Sequence, residues 1–307
     1  MCQNPLPMRE PRPSATFLLG AARSGTSLLY KVLCLHRDAA YFNNWLRRIP
    51  GNPSLSITNR VARHGGDIRR RVWFGDGSNA YVYGRRRLVG ERLFPMPVEG
   101  EPVFAACGVP ERGPMPADTT TAEQALRRTV AGVLRWGGGS VFLNKRIANN
   151  RRIMLLAQAF PNARFIDITR DGRAVASSLA RVDWWQDSIV WWYGDTPAAW
   201  ERSGGDPWKL CARNWVEEVR AIDAGLAEIH ADRVLRLTYE QFVGDPTSVL
   251  TQVADFARLA YDPSWLSEVE RLSFPNRNEG WRAQLDGDVI SRIENVQADE
   301  LRQRGYA

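Results

Sequence analysis

Gly20-Ala21-Ala22-Arg23-Ser24-Gly25-Thr26-Ser27 follows the apolar run Thr16-Phe17-Leu18-Leu19 and precedes a stretch with helical spacing through Leu28, Leu29, Val32, Leu33 and Leu35. The pattern is that of a strand, a tight loop and a helix. Two glycines at this separation match a nucleotide-binding P-loop, in which backbone N–H groups and a helix N-terminus form a cradle for an anion. A nucleoside triphosphatase would carry lysine where Thr26 stands, so the loop lacks the cation that reaches the β- and γ-phosphates. Arg23, inside the loop, is the cation this chain offers instead.

Outward from the loop, the second half of the chain alternates strand and helix. Val141-Phe142-Leu143 is followed by a helical stretch around 152–160, a strand over 164–169 and a helix over about 172–181. Asp206-Pro207 opens a long helix with aspartate as cap and proline in the first turn, and Trp215, Val219, Ile222, Leu226 and Ile229 form its apolar stripe. Val234 to Leu237 is a further strand, and Asp245-Pro246 repeats the cap-plus-proline device. This alternation predicts an α/β fold, a parallel central sheet flanked by helices.

Between 43 and 118 the texture changes to glycine, proline and arginine, with poor periodicity and strand-like fragments at 71–74 and 80–83. Regularity returns at Thr120, which with Glu123 fits a capping box. We expect residues 1–14 to be a disordered tail and 15–307 a single domain, with 43–118 an irregular insertion or lid near the acceptor site.

Composition narrows the classes. In 307 residues, 44% hydrophobic content suffices for a packed core and excludes a wholly disordered chain. The net charge is +7, and only three of the 41 basic residues are lysine, a bias toward arginine, whose planar guanidinium fork suits anions such as phosphate and sulfate. Cys2, Cys34, Cys107 and Cys211 form no paired motif, which fits a reducing compartment and gives no metal site. No signal-peptide pattern or long apolar run occurs, so a cytoplasmic protein without a transmembrane segment is expected.

The residues resemble those of the sulfotransferases that use 3′-phosphoadenosine 5′-phosphosulfate (PAPS). The loop over 20–27 is similar to their 5′-phosphosulfate loop. Arg164-Phe-Ile-Asp-Ile-Thr-Arg170-Asp-Gly-Arg-Ala-Val-Ala-Ser-Ser178 is similar to their 3′-phosphate signature, a strand that ends in arginine with a serine eight residues on. Chemically, such an arginine and serine can converge on one doubly charged phosphate. Two looser segments agree: Leu237-Thr-Tyr239-Glu240, whose tyrosine would meet the adenine, and Asn276 to Arg282, a loop closing over the nucleotide through Arg277, Trp281 and Arg282. The resemblance covers 16–36, 140–182, 233–246 and 274–285.

The resemblance implies a P-loop-like sulfotransferase fold and transfer of a sulfuryl group from PAPS to a hydroxyl or amine of a small-molecule, lipid or sugar acceptor. Arg23 and the loop residues Ser24, Gly25, Thr26 and Ser27 would hold the 5′-phosphosulfate. Lys145, after the 141–143 strand, would reach the sulfuryl oxygens. In-line transfer rests on positioning and charge neutralisation, so no metal is expected.

A base to take the acceptor's proton is missing where relatives carry one. Ile147 stands two residues after Lys145, where one branch has histidine, and Asn43 and Asn44 stand where another has glutamate. His64, Asp76, Glu91 and Asp183 are replacement candidates, and Asn43 and Asn44 are candidates to orient an acceptor hydroxyl. Trp184, Trp185, Trp191 and Trp192 are either an acceptor wall or ordinary core. Rival readings are a P-loop small-molecule kinase, a non-catalytic nucleotide-binding relative, and a nucleic-acid-binding protein built on the arginine clusters, against which no stacking aromatics are interleaved. No nucleic acid is expected, and a homodimer stays open.

Overall fold

A computed structural model describes residues 13–75, 89–113 and 115–306 of the chain, with the side chains of Val89 and Glu91 left aside. Most of the expected tail, together with Asp76 and the 80–83 fragment, therefore lies outside the described residues.

Five parallel strands form one sheet in the order β2-β3-β1-β4-β5. They are β1 (Ser14–Leu19), β2 (Ala39–Ala40), β3 (Val141–Lys145), β4 (Arg164–Thr169) and β5 (Val234–Thr238). β1 lies in the middle and is buried from Ala15 to Leu19, as is all of β3, because helices cover both faces of a parallel sheet. That double cover explains the continuous apolar runs. β5, at an edge, buries only Leu237 fully.

The register sets the site. Leu18 pairs with Lys145 and Leu19 with Asp167, while Thr169 pairs with Thr238. The C-terminal ends of β3, β1, β4 and β5 thus lie side by side. β1 joins neighbours on both sides, and in open α/β sheets the crevice at such a switch of strand order is where ligands bind.

Helix Thr26–Cys34 follows β1, and helix Gly172–Leu179 follows β4 and packs on Pro207–Leu226 and Gly287–Gln303. Asp206 accepts from the Trp208 and Lys209 amides, and Asp245 from that of Ser248, so both cap-plus-proline starts form. The expected capping box at Thr120 does not. Thr119 is the N-cap residue without capping by its side chain, its hydroxyl donates to Glu123 Oε1 (2.7 Å), and the Asp118 carboxylate takes the Thr120 amide (2.9 Å).

The described part of 43–118 folds as short helices, five to nine residues long. Residues 71–74 are not a strand but the end of helix Gly66–Phe74. Lys31 Nζ binds the carbonyl of Trp73 (2.9 Å) and so satisfies a group the helix end leaves open. Val72, Trp73, Phe74, Val103 and Phe104 are all within 2% of complete burial and belong to the main core. Cys34, Cys107 and Cys211 are buried free thiols.

Candidate active site

The loop after β1 leaves the sheet through two backbone positions that a side chain would obstruct. Gly20 has φ +147°, and a Cβ there would lie 2.6 Å from the Ile168 carbonyl oxygen. Gly25 has φ +86°, and its Cβ would lie 2.6 Å from the Tyr239 ring. The loop therefore presses between β4 and the tyrosine that follows β5. Asn150 closes its start, accepting from the Gly20 amide and donating to the Gly20 carbonyl, each at 3.2 Å. Buried Glu218 accepts from Asn150 (2.7 Å) and Arg151 (3.1 Å), and burial raises its carboxyl above the ordinary range despite Arg151. The amides of Thr26 and Ser27 begin a helix and have no intrahelical acceptor, which leaves them able to donate to an anion. Ser24 Oγ is buried in the same loop without a hydrogen-bond partner, a polar atom left for a ligand or water to satisfy.

Arg23 and Arg170 knit this loop to β4. Arg23 adopts φ 72°, an uncommon left-handed conformation for a non-glycine residue. Its Nε donates to Ser178 Oγ (2.8 Å), and its carbonyl accepts from Arg170 Nη1 (2.9 Å). Arg170 further donates to the Arg277 carbonyl (2.8 Å) and to Asn278 Oδ1 (3.1 Å), and its guanidinium lies 4.3 Å from the centroid of the Tyr239 ring. Burial pulls the guanidinium pKa down, although Tyr239 and Glu240 partly oppose this. Arg170 and Ser178 are thus both tied to Arg23.

One cavity of about 420 Å³ opens above the strand ends. Arg23, Gly25, Thr26, Ser27, Lys145, Arg170, Tyr239 and Arg277 all line it. Ser178 reaches it through Arg23. Trp281 and Arg282 are not among the lining residues: Trp281 is buried with Arg173 and Arg282 stacked on its ring, and Arg282 pairs with Glu279. Trp184, Trp185 and Trp191 also line the cavity, with Ile189 and Val190, whereas Trp192 packs against Arg213 and Tyr193.

Lys145 is 4% exposed, and its Nζ donates to Glu99 Oε1 (2.5 Å). Glu99 Oε2 accepts from Arg146 Nη1 (2.6 Å), and Arg146 also binds Glu101 and Glu111. Burial alone would raise the Glu99 carboxyl, but the charges and hydrogen bonds of Lys145 and Arg146 outweigh it and hold it below the usual carboxylate range.

The candidate bases do not gather here. His64 is exposed and bonded to the Arg60 carbonyl, Asp183 is exposed, and neither lines the cavity. Asp76 lies outside the described residues, as does the Glu91 side chain. Asn43 caps helix Asn44–Arg48 and binds Asn59, while Asn44 bonds the Phe94 carbonyl and the Met96 amide. Both asparagines hold the fold, and neither lines the cavity. Sequence reasoning passed over Glu99, Asn150 and Glu218. The signal available for Glu99 was indirect: a Lys145-Arg146 doublet at the end of a buried strand requires carboxylates.

A family model described as the sulfotransferase family matches residues 15–263. The sulfotransferase STF9 from Mycobacterium avium superposes with a TM-score of 0.59 at 15% identity, over 96% of this chain and 77% of that one. The sulfotransferase STF1 from Mycobacterium tuberculosis H37Rv gives 0.54 at 12% identity, over 94% and 77%. The sulfotransferase domain from the curacin biosynthetic pathway gives 0.51 at 14% identity, over 96% and 98%. At these identities the likeness is one of fold.

Proposed function

Because the chain belongs to the sulfotransferase family, we propose that it transfers the sulfuryl group of PAPS to a hydroxyl or amine acceptor, in line and without a metal. The observation that carries this reading is the meeting of four strand ends on one cavity: Lys145 from β3, the 20–27 loop from β1, Arg170 from β4 and Tyr239 from β5.

The donor's 5′-phosphosulfate would lie on the amides of Gly25, Thr26 and Ser27, with Arg23 beside it. Its 3′-phosphate would sit by Arg170, Ser178 and Arg277, and its adenine against Tyr239. A doubly charged phosphate there competes for the Arg170 donors that now hold the Arg23 and Arg277 carbonyls, and it offers them opposite charge as well as lone pairs, which a neutral carbonyl does not. Binding would therefore re-aim Arg170.

Transfer at sulfur needs the acceptor oxygen, the sulfur and the leaving 5′-phosphate oxygen close to a line. The loop amides, Arg23 and Lys145 supply the positive field for the charge that grows on the leaving and sulfuryl oxygens, as preorganised donors do in other group transfers. No step requires a metal. The apolar flank of Trp184, Ile189, Val190 and Trp191 suits an acceptor with an aromatic or aliphatic body.

No helix among the described residues is long and apolar enough to cross a membrane. We place the enzyme in the cytoplasm, with its donor. Arg69 is buried and paired with Glu268, and Arg70 pairs with Asp67.

The test offers PAPS with a chelator and, separately, ATP with Mg²⁺. Release of 3′,5′-ADP and sulfated product from the first alone supports the reading; transfer from ATP alone would establish the kinase instead.

A further inference from the structure

We infer that Glu99 takes the acceptor's proton, and that its ion pair with Lys145 holds it engaged until the donor draws the lysine away. This rests on the function proposed above, and it supplies the base that the motifs do not contain.

Three glutamates line the cavity: Glu99, Glu111 and Glu218. Glu218 is buried beneath the start of the loop, where Asn150 and Arg151 occupy it. Glu111 binds Arg146 and lies near Arg112, on the outer side of the ion-pair cluster. Glu99 alone of the three touches Lys145, the residue placed at the sulfuryl oxygens. Its side chain keeps 28% of its surface accessible and that of Lys145 keeps 5%, and both residues line the cavity.

The backbone fixes this placement. The Asn144 side chain on β3 donates to the Glu99 carbonyl (3.1 Å), and the next residue, Gly100, has φ +76° and packs so closely on Phe42 that a Cβ would approach the ring to 2.4 Å. Glu99 is therefore held between the sheet and the core, as a group that must meet a reacting atom needs to be.

Paired with two cations, Glu99 is a poor base. A bound sulfuryl group offers Lys145 anionic oxygens of its own, and each step of Lys145 toward them leaves Glu99 with Arg146 alone. Removing one nearby opposite charge raises a carboxyl pKa. The donor thus prepares the base, and the acceptor's proton is taken only when a sulfuryl group is present.

The step balances as follows. A lone pair on the acceptor hydroxyl oxygen attacks sulfur and forms the new S–O bond. The bond from sulfur to the bridging phosphate oxygen breaks, and its electron pair stays on the 5′-phosphate of 3′,5′-ADP. The hydroxyl proton passes to Glu99 Oε1 and leaves to solvent after the products depart. Proton removal matters because the attacking oxygen grows acidic as the bond to sulfur forms.

The test compares wild-type protein, Glu99→Gln and Glu99→Asp by release of 3′,5′-ADP from PAPS to water, to 2-naphthol and to 4-nitrophenol at pH 8, with calorimetric binding of 3′,5′-ADP alongside. Glu99→Gln should keep 3′,5′-ADP affinity within about 3-fold while turnover to 2-naphthol falls about 100-fold or more, the usual range for a lost general base. Turnover to 4-nitrophenol, largely ionised at that pH, should fall much less, and Glu99→Asp should retain an intermediate rate. A Glu99→Gln rate within about 3-fold of wild type on 2-naphthol, or equal losses on both phenols, would overturn the assignment, since general-base losses are larger and follow the acceptor's proton. Absence of 3′,5′-ADP binding by the wild-type protein would instead reject the donor site itself.

Discussion

Arg170 Nη1 donates to the carbonyl oxygen of Arg23 at 2.9 Å, so the cation that ends β4 is fastened to the loop that follows β1. The two segments are 147 residues apart in sequence and joined by one guanidinium, which also reaches the Arg277 carbonyl. The guanidinium holds together three backbone segments around the space the donor would fill.

Arg170→Ala should weaken 3′,5′-ADP binding by about 10- to 100-fold, the loss expected for charge-assisted hydrogen bonds to a phosphate. Turnover at saturating PAPS should fall far less. Titration of 3′,5′-ADP against both proteins, with kcat measured separately, checks the division.

Lys145→Ala should lower kcat by about 100- to 1000-fold, as removal of one preorganised donor does elsewhere, and leave 3′,5′-ADP affinity little changed because that product lacks the sulfuryl group. Single-turnover release of 3′,5′-ADP reads this directly. Equal losses in kcat and in 3′,5′-ADP affinity would place Lys145 on the wrong group.

Gly25→Ala combines a left-handed backbone with a Cβ 2.6 Å from the Tyr239 ring. The backbone conformation alone costs about 1–2 kcal/mol, and the ring contact adds to it. Thermal unfolding should show the loss. In Gly25→Ala/Tyr239→Ala the clash is relieved and the φ penalty remains, so the double variant should regain part of what the single variant loses relative to Tyr239→Ala.

Asp167 carries a pH signature remote from the cavity. Burial outweighs Arg236 and Arg304, with Asp223 adding to the rise, and lifts its pKa from 3.8 to about 6. Between those values the folded state holds a proton that the unfolded chain has released, so stability falls as pH rises through the window, by at most about 3 kcal/mol. Denaturant midpoints from pH 4 to 6.5 should show that slope, and Asp167→Asn should flatten it.

The strand, tight loop and helix around 20–27 and the strand and helix around Arg170 were legible because their signals are local: glycine spacing, an apolar strand before and a helix after lie within twenty residues. The parallel sheet followed from the alternation of strand and helix patterns in the second half of the chain, each pattern short enough to read within one element. The 43–118 region was opaque because helices of five to nine residues complete too few turns to show a period, and Val72-Trp73-Phe74, three consecutive buried side chains, imitate a strand. Glu99 was hidden for another reason. Its partner Lys145 lies 46 residues on, and no sequence spacing encodes a contact made by folding the 43–118 region onto the end of β3.

Calorimetric titration of the protein with 3′,5′-ADP and with ADP tests the donor site most directly. The account predicts that 3′,5′-ADP binds at least about 10-fold more tightly, about 1.4 kcal/mol for the phosphate that Arg170, Ser178 and Arg277 would hold. Equal affinities, or a preference for ADP, would contradict it.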